Sequence, residues 1–302
     1  MFDEALDALQ IRENGIYLDG TFGRGGHSRG ILKRLGAQGR VYAMDKDPVA
    51  VQHAREDFKD EPRFELEQAS FADMADWVQR LSLVGKIDGV LLDLGVSSPQ
   101  LDDPQRGFSF KADGPLDMRM NPDQGESAAQ WLAHVGESDL IAVLKEYGEE
   151  RFARRIARAI VSARQEEALT STRQLAEIIA AAHPAWEKGK HPATRSFQGI
   201  RIHVNRELED IRECLEGIPD LLAPGGRLVV ISFHSLEDKI VKQFIQKQSK
   251  PPQMPHDIPV MEKDIPAPRM RKIGKMAPPS KQEVDLNVRA RSARMRVAEK
   301  VA

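Results

Sequence analysis

The chain of 302 residues is 41% hydrophobic, which is enough apolar material for a large core and for more than one domain. It has no apolar run of about 18 residues, and its acidic, amphipathic start (MFDEALDALQ) differs from a secretory signal, so we expect neither a membrane span nor export. The single cysteine, Cys214, excludes an internal disulfide and a cysteine-based metal cluster. We therefore predict a cytoplasmic protein without a metal site.

Charge is distributed unevenly along the chain. Residues 239–302 contain 15 Lys+Arg and 6 Asp+Glu, a net charge of +9, whereas residues 1–238 contain 29 and 40, a net charge of −11. A basic C-terminal quarter on an acidic body is typical of a nucleic-acid-binding surface. It is equally typical of a solvated basic tail, and charge alone leaves both interpretations open.

Strands and helices alternate in the first third of the chain. Apolar runs predict strands over residues 15–20, 39–48, 63–71 and 86–95, and helical spacing predicts helices over residues 27–36, 49–58 and 74–83. Because each strand is apolar on both faces, we predict a parallel sheet that is covered on both sides. Ligands of such sheets bind beyond the carboxyl ends of the strands, so the site residues are expected there.

The alternation stops after Gln100. Residues 101–125 are rich in Pro, Gly and Asp and lack periodicity, which indicates a functional loop. Helical patterns follow over residues 128–206, and Phe152, Ile156 and Ile160 form one apolar stripe.

A strand pattern returns within residues 221–238, where a Pro-Gly-Gly turn is expected to precede another buried strand. We therefore predict a helical domain of residues 104–205 that is inserted into a sheet domain of residues 1–103 and 206–302. The proline-rich residues 250–270 are predicted to form an irregular surface loop.

The glycine-rich loop after the first strand reads DGTFGRGGHS. A dinucleotide fingerprint would have its first glycine where Thr21 stands. Asp19 would repel a pyrophosphate, whereas it suits a ligand with a cationic amine or sulfonium, so the loop favours S-adenosylmethionine over NAD. A plain glycine-rich turn is the alternative.

Candidate ligand contacts follow the next three strands. Asp45 is placed to accept hydrogen bonds from ribose hydroxyls, although a helix-cap role is an alternative that suits Asp47 better. Phe71 is placed either against an adenine or in the core. Asp93 is placed to accept from a ligand amine or to cap neighbouring N–H groups.

Several long segments carry a resemblance to a known family: DGTFGRGGHS, DGVLLDLGVSSPQLDDPQRGFSF, DGPLDMRM, YGEERFARRIARAIV, HPATRSFQGIRIHVNREL and LAPGGRLVVISFHSLEDKIVK. Over essentially the whole chain, the sequence resembles the bacterial small-subunit ribosomal RNA cytidine-N4 methyltransferase family (RsmH or MraW). The resemblance implies an α/β fold, a class I (Rossmann-like) S-adenosylmethionine-dependent methyltransferase sheet with an inserted, mostly helical domain. It also implies methylation of the exocyclic amine of a cytidine in the decoding region.

Carried over position by position, the resemblance implies a set of S-adenosylmethionine contacts: Gly25, Gly26, His27, Asp45, Phe71, Asp93 and Gln100. The family usually begins with a longer stretch that contains a histidine, whereas this chain starts at Met1-Phe2-Asp3-Glu4-Ala5. We expect some N-terminal residues of the family pattern to be missing here.

The candidate catalytic residues follow the fourth and the last predicted strands. We expect Asp93 and the turn containing Ser97 and Ser98 to hold the base. This expectation rests on their position after the fourth strand alone, because the sequence lacks the Asp/Asn-Pro-Pro-aromatic turn of other amino-methyltransferases. His234 is a second candidate for contacting the base or accepting its proton. A hydrogen-bonded wall residue is the alternative for this histidine.

The expected partner is small-subunit ribosomal RNA in the assembled or nearly assembled subunit. We expect no membrane partner. A homodimer is one candidate oligomeric state of the protein. Arg195 and Arg201 flank Phe197, which suggests phosphate contact combined with base stacking. Arginines at 151–158 either contact RNA or lie on a solvated helix. Alternative functions are an NAD-dependent reductase, for which no Tyr-Lys pair is evident, and a non-catalytic RNA-binding assembly factor.

Overall fold

The computed structural model describes residues 1–186, 189, 191–251 and 267–301, and it divides into two compact units. The first unit consists of Met1–Gly95 and Leu208–Ala302, and the second consists of Val96–Glu207. The predicted inserted domain starts later, at residue 104, and ends at residue 205. Within the described residues, no helix is both long enough and apolar enough to cross a membrane.

The first unit contains a seven-stranded sheet with the strand order β3-β2-β1-β4-β5-β7-β6. Its strands are β1 (Ile16–Asp19), β2 (Arg40–Asp45), β3 (Phe64–Gln68), β4 (Ile87–Asp93), β5 (Leu222–Ser232), β6 (Met270–Ala277) and β7 (Arg294–Lys300). β1 to β5 are parallel, whereas β7 runs antiparallel to both β5 and β6. The predicted Rossmann-like α/β class is confirmed, whereas the sequence pattern did not predict the strands β6 and β7.

Burial follows the place of each strand in the sheet. In the central β4, the side chains of Val90, Leu91 and Leu92 are fully buried, as the apolar run predicts. The residues of β3 (FELEQ) are half-buried or exposed, because β3 is an edge strand with a single neighbour. The prediction that every strand is apolar on both faces is therefore wrong for β3.

Helices connect the strands of the first unit. They are α1 (Phe2–Ala8), α2 (Gly26–Arg34), α3 (Pro48–Asp57), α4 (Met74–Arg80), α11 (Glu207–Leu221), α12 (Ser235–Gln248) and α13 (Lys281–Leu286). Asp47 caps α3 by accepting a hydrogen bond from the N–H of Val49, and Pro48 is the first helical residue. The helix-cap role expected for Asp47 is confirmed, and its neighbour Asp45 remains available for another role.

The Pro-Gly-Gly segment lies within the bounds of β5 and not before them. Ile87 of β4 pairs with Leu222, and Gly89 pairs with Arg227, so the register shifts across this segment. Gly225 has a φ of 75°, which glycine adopts without strain. The predicted turn is therefore a bulge inside a longer strand.

The second unit is built from helices around its own apolar core. The helices are α5 (Ser98–Asp102), α6 (Ala128–His134), α7 (Glu137–Glu146), α8 (Ala153–Glu166), α9 (Thr172–Ala182) and α10 (Ala193–Asn205). Ile156 and Ile160 of the predicted α8 stripe are fully buried in this core, and Phe152 packs against it. Asn205 fastens the irregular segment before α6, since its side chain bonds the backbone of Met118 and Met120.

The predicted proline-rich loop at residues 250–270 falls mainly on residues 252–266, which lie outside the described residues. The described chain resumes at residue 267, and β6 begins at Met270.

Candidate active site

Three parallel strands end in an aspartate at the same edge of the sheet. Asp19 ends β1, Asp45 ends β2 and Asp93 ends β4. The carboxylates interact electrostatically, because the negative charge of Asp19 contributes to raising the pKa of both Asp45 and Asp93. Ligands of parallel α/β sheets bind at this edge, so it is the candidate active site.

Asp19 braces the glycine-rich loop from within. Its side chain is buried, Oδ1 accepts from the N–H of Thr21 at 3.2 Å, and Oδ2 accepts from the hydroxyl of Ser28 at 2.7 Å. Burial raises the pKa of Asp19 above its usual range. Both oxygens thus have partners within the loop, which makes Asp19 a structural residue of the loop it begins.

Asp45 holds the loop from the neighbouring strand. Its Oδ2 accepts from the N–H of Gly23 at 2.8 Å, and its Oδ1 accepts from the N–H of Asp47 at 2.9 Å. Burial raises the pKa of Asp45 to about 6. Because a carboxylate oxygen has two lone pairs, each oxygen can accept a further hydrogen bond from a ligand.

Asp93 joins the end of β4 to the loop. Its N–H donates to the Thr21 hydroxyl at 2.7 Å, and its Oδ2 lies 3.7 Å from Nδ1 of His27. Burial raises the pKa of Asp93 to about 6 and lowers the pKa of His27. The fold thus places a carboxyl group whose pKa is raised next to an imidazole whose pKa is lowered, at the end of β4.

Two buried atoms in this region lack hydrogen-bond partners among the described residues. They are Oδ1 of Asp93 and Nε2 of His27. Buried polar atoms are nearly always satisfied by protein, water or a ligand. A ligand that carries both a hydrogen-bond donor and an acceptor, such as an amino acid moiety, fits this pair.

Two glycines of the loop, Gly25 and Gly26, are required for different structural reasons. Gly25 precedes α2 with a φ of 71°, and a Cβ there would lie 2.7 Å from the ring of Phe22 and 2.9 Å from that of Phe58. A Cβ on Gly26 would meet no atom within 4 Å. Gly25 is therefore required by the fold, whereas Gly26 keeps space open beside the first N–H groups of α2.

Replacing these two glycines is expected to separate the two requirements. Gly25→Ala lowers the free energy of unfolding by about 2 kcal/mol, because of its left-handed backbone and the ring contacts. Gly26→Ala leaves it unchanged or raises it by up to about 1 kcal/mol, since alanine favours a helix. Denaturant unfolding of both variants measures the difference, and equal losses would contradict this assignment.

Phe71 lies beside the loop and is half-buried. It starts a short 3₁₀ turn, Phe71–Asp73, which Ser70 caps by accepting from the N–H of Ala72. Its Cβ is 3.2 Å from the position that a Cβ on Gly20 would occupy. The contact of Phe71 with an adenine stays a prediction.

His234 follows β5 at the same edge of the sheet and is held by a buried glutamate. Ile231 of β5 pairs with Asp93, and His234 lies three residues further along the chain. Oε2 of Glu237 accepts from the N–H groups of Phe233 and His234, and Oε1 of Glu237 lies 3.1 Å from Nε2 of His234. This imidazole therefore lies beside a buried carboxylate, as in many general bases, although neither of its ring nitrogens has a hydrogen-bond partner among the described residues.

The remaining predicted residues belong to the second unit. Ser97 is the N-cap of α5, and its N–H donates to Oε1 of Gln100 at 2.9 Å. Gln100 is buried, so its side chain has a capping role inside this unit. Ser98 is exposed at the first position of the helix.

A model of the MraW methylase family matches residues 1–301. The chain belongs to this family. Two curated relatives named "Ribosomal RNA small subunit methyltransferase H" are similar to it over 302 residues and 100% of the chain. The relative from Thioalkalivibrio sulfidiphilus (strain HL-EbGR7) is 58% identical, with 96% of its length covered. The one from Pseudoalteromonas atlantica (strain T6c / ATCC BAA-1087) is 55% identical, with 97% covered.

A solved rRNA methylase from Streptococcus thermophilus aligns with a TM-score of 0.44 at 12% identity, covering 99% of this chain and 93% of that one. The predicted resemblance to the MraW methylase family is confirmed by the family model and the curated relatives. Neither alternative, the NAD-dependent reductase or the non-catalytic assembly factor, finds support in these comparisons.

Three residues of this MraW family site escape a reading of the sequence alone. Thr21 and Ser28 support the aspartates through their hydroxyl groups, and Glu237 is a fully buried carboxylate that lies beside His234. A signal for Glu237 exists, since a Glu three residues after an N-cap position is typical of a capping box. Thr21 and Ser28 carry no such signal. The partner of Thr21, Asp93, is distant in the chain, and the contact of Ser28 with Asp19 depends on the conformation of the glycine-rich loop.

The base stacking expected of Phe197 is wrong, whereas phosphate contact by Arg195 stays a prediction. Phe197 is buried in the core of the second unit, where its ring packs edge-on against Phe110 at 4.7 Å, so it offers no face to a base. Arg201 forms a bidentate ion pair with Glu207. The arginines Arg151, Arg154, Arg155 and Arg158 are exposed, so they stay candidates for RNA contact.

Proposed function

We propose that this protein transfers the methyl group of S-adenosylmethionine to the exocyclic N4 amine of a cytidine in the decoding region of small-subunit ribosomal RNA. The family match over residues 1–301 carries this proposal. The names of the two curated relatives support a small-subunit ribosomal RNA substrate. The carboxylates of Asp45 and Asp93 beside a glycine-rich loop, which Asp19 braces from within, support a nucleoside cofactor with a cationic group.

The cofactor contacts divide between the strand ends. Asp45 binds the ribose hydroxyls, Phe71 lies against the adenine, and Asp93 accepts hydrogen bonds from the amino group. The loop residues Gly25, Gly26 and His27 bind the methionine part, and Gln100 of the second unit completes the set. The unpartnered Asp93 Oδ1 and His27 Nε2 support this division, because the amino acid part of the cofactor supplies a donor and an acceptor.

The chemistry requires orientation and the removal of one proton. Bound S-adenosylmethionine supplies a methyl group that needs no activation. The amine of cytosine is a weak nucleophile because its lone pair is delocalised into the ring. The base is therefore oriented by Asp93, together with Ser97 and Ser98, which follow Asp93 in the sequence. Alignment of this kind lowers barriers by ~7–11 kcal/mol in favourable systems. His234, which lies beside the carboxylate of Glu237, accepts the proton.

The partner, on this proposal, is ribosomal RNA within the assembled or nearly assembled small subunit, and the reaction takes place in the cytoplasm. A homodimer is a candidate state of the enzyme. Mass spectrometry of nucleosides tests the substrate, with naked RNA, a precursor particle and the complete subunit as the three arms. N4-methylcytidine is expected with the subunit forms, and its absence from all three arms would overturn the proposed reaction.

Calorimetry tests the cofactor independently of the RNA. The protein is expected to bind S-adenosylmethionine and not NAD. Binding of NAD alone would favour a reductase, and binding of neither would favour an assembly factor.

The affinity for S-adenosylmethionine is expected to depend on pH. Since burial raises the pKa of Asp45 to about 6, its ionised fraction rises from roughly a tenth at pH 5 to roughly nine tenths at pH 7. The ionised form is the better acceptor for ribose hydroxyls, so affinity rises roughly tenfold across this range and is level above it. Calorimetry at several pH values measures the profile. Asp45→Asn is the control and weakens the pH dependence, leaving the part due to Asp93, whose pKa burial also raises to about 6. Identical profiles for wild type and Asp45→Asn would contradict the role of Asp45.

A further inference from the structure

A groove lies between the C-terminal half of α12 and the last two strands of the sheet. Its enclosed volume is about 30 Å³, too small for a small-molecule pocket, so it is a groove of the surface. Half-buried Ile273 and exposed Met276 supply apolar surface to its wall, above the buried side chains of Ile245 and Val297. The proposed methyl-transfer chemistry uses none of these residues.

Three lysines border this groove. Lys242, Lys272 and Lys275 are all exposed, and none of them pairs with a carboxylate of the described residues. The fourth cation of the groove, Arg296, is neutralised by a bidentate ion pair with Asp238 at 2.7 and 2.9 Å. The groove therefore presents three uncompensated positive charges around an apolar wall.

The pairing of the strands relates this groove to the candidate active site. Asp93 pairs with Ile231, Ile231 pairs with Met295, and Met295 pairs with Ala277, which ends the strand that carries two of the lysines. Three strand spacings of about 4.8 Å place this end of β6 about 14 Å from Asp93. A nucleic acid strand with one base at Asp93 reaches this distance within a few nucleotides.

We propose that the groove binds a single-stranded segment of the substrate RNA next to the methylated cytidine. The ammonium groups of Lys242, Lys272 and Lys275 contact successive phosphates, and the apolar wall contacts a base or ribose. The charge of the groove selects a polyanion, and its apolar wall selects one with exposed bases. This inference rests on the proposed function, because it takes the methylated RNA as the ligand.

Salt dependence of RNA binding tests the groove. The triple variant Lys242→Gln, Lys272→Gln, Lys275→Gln is compared with wild type for binding a single-stranded fragment of the decoding region, by fluorescence anisotropy at several salt concentrations. Loss of three phosphate contacts reduces the slope of log Kd against log salt by about 2. The matched control, Lys33→Gln, Lys59→Gln, Lys145→Gln, removes three exposed lysines elsewhere and leaves the slope unchanged.

A second variant and a second measurement keep the outcomes distinct. Replacing the three groove lysines with arginine retains the charge and is expected to restore the slope. An unchanged slope in the glutamine variant would overturn the inference. So would self-association with unchanged RNA affinity, seen by sedimentation, because it would assign the lysines to protection of the edge strand β6. S-adenosylmethionine affinity, measured separately, reports on the proposed function and stays at the wild-type value.

Discussion

Replacing Asp45 with alanine is expected to lower the affinity for S-adenosylmethionine by about 100-fold. The variant loses a charged acceptor for two ribose hydroxyls, and such hydrogen bonds contribute about 1.5–3 kcal/mol each. It also releases the N–H of Gly23, which Asp45 holds at 2.8 Å, so the glycine-rich loop loses its anchor on β2. Isothermal titration calorimetry measures the dissociation constant.

Asp47 provides the matched control, because it is a second aspartate two residues further along the same loop. Its side chain caps α3 through the N–H of Val49 at 3.0 Å. Asp47→Ala is expected to lower the free energy of unfolding by about 1 kcal/mol and to leave the affinity near its wild-type value. If the two variants lost affinity equally, the ribose role of Asp45 would be refuted.

Replacing His234 with alanine is expected to lower kcat by about 100-fold, with an unchanged dissociation constant for S-adenosylmethionine. General bases contribute about 10²–10⁴-fold to rates, and His234 lies beside the buried Glu237 with 3.1 Å between Nε2 and Oε1. Single-turnover methyl transfer to saturating RNA measures the chemical step apart from product release.

The control for His234 is another histidine that lies beside a carboxylate. His53 lies on α3 at 3.4 Å from Asp57 and has no role in the proposed site, so His53→Ala should keep the wild-type kcat. Glu237→Gln should give an intermediate loss, because the amide still accepts from the backbone but lacks the charge. Near wild-type turnover of His234→Ala would end the proposed role as proton acceptor.

Local sequence pattern predicts much of the first unit, because burial and turns leave short-range signals. The apolar runs around Leu18, Val41 and Leu91 coincide with β1, β2 and β4. The aspartate at the end of each of these runs is evident from the sequence alone. The strands β6 and β7 were not visible. Their sequences, MRKIGKMA and RMRVAEK, are rich in charged residues and lack the continuous apolar run of the central strands. β7 pairs with β5, and β6 pairs with β7, so the tertiary pairing identifies both as strands.

The sequence by itself determined the family, the α/β class and the residues that line the sheet edge, since long segments and strand-end aspartates are local features. Only the tertiary structure decided what each residue contacts. It assigned Asp19 to the interior of the loop, placed Phe197 in a core, and set the buried Glu237 against His234. The physical reason is that hydrogen-bond partners and burial depend on which strands and helices become neighbours, and periodicity along the chain does not contain that information.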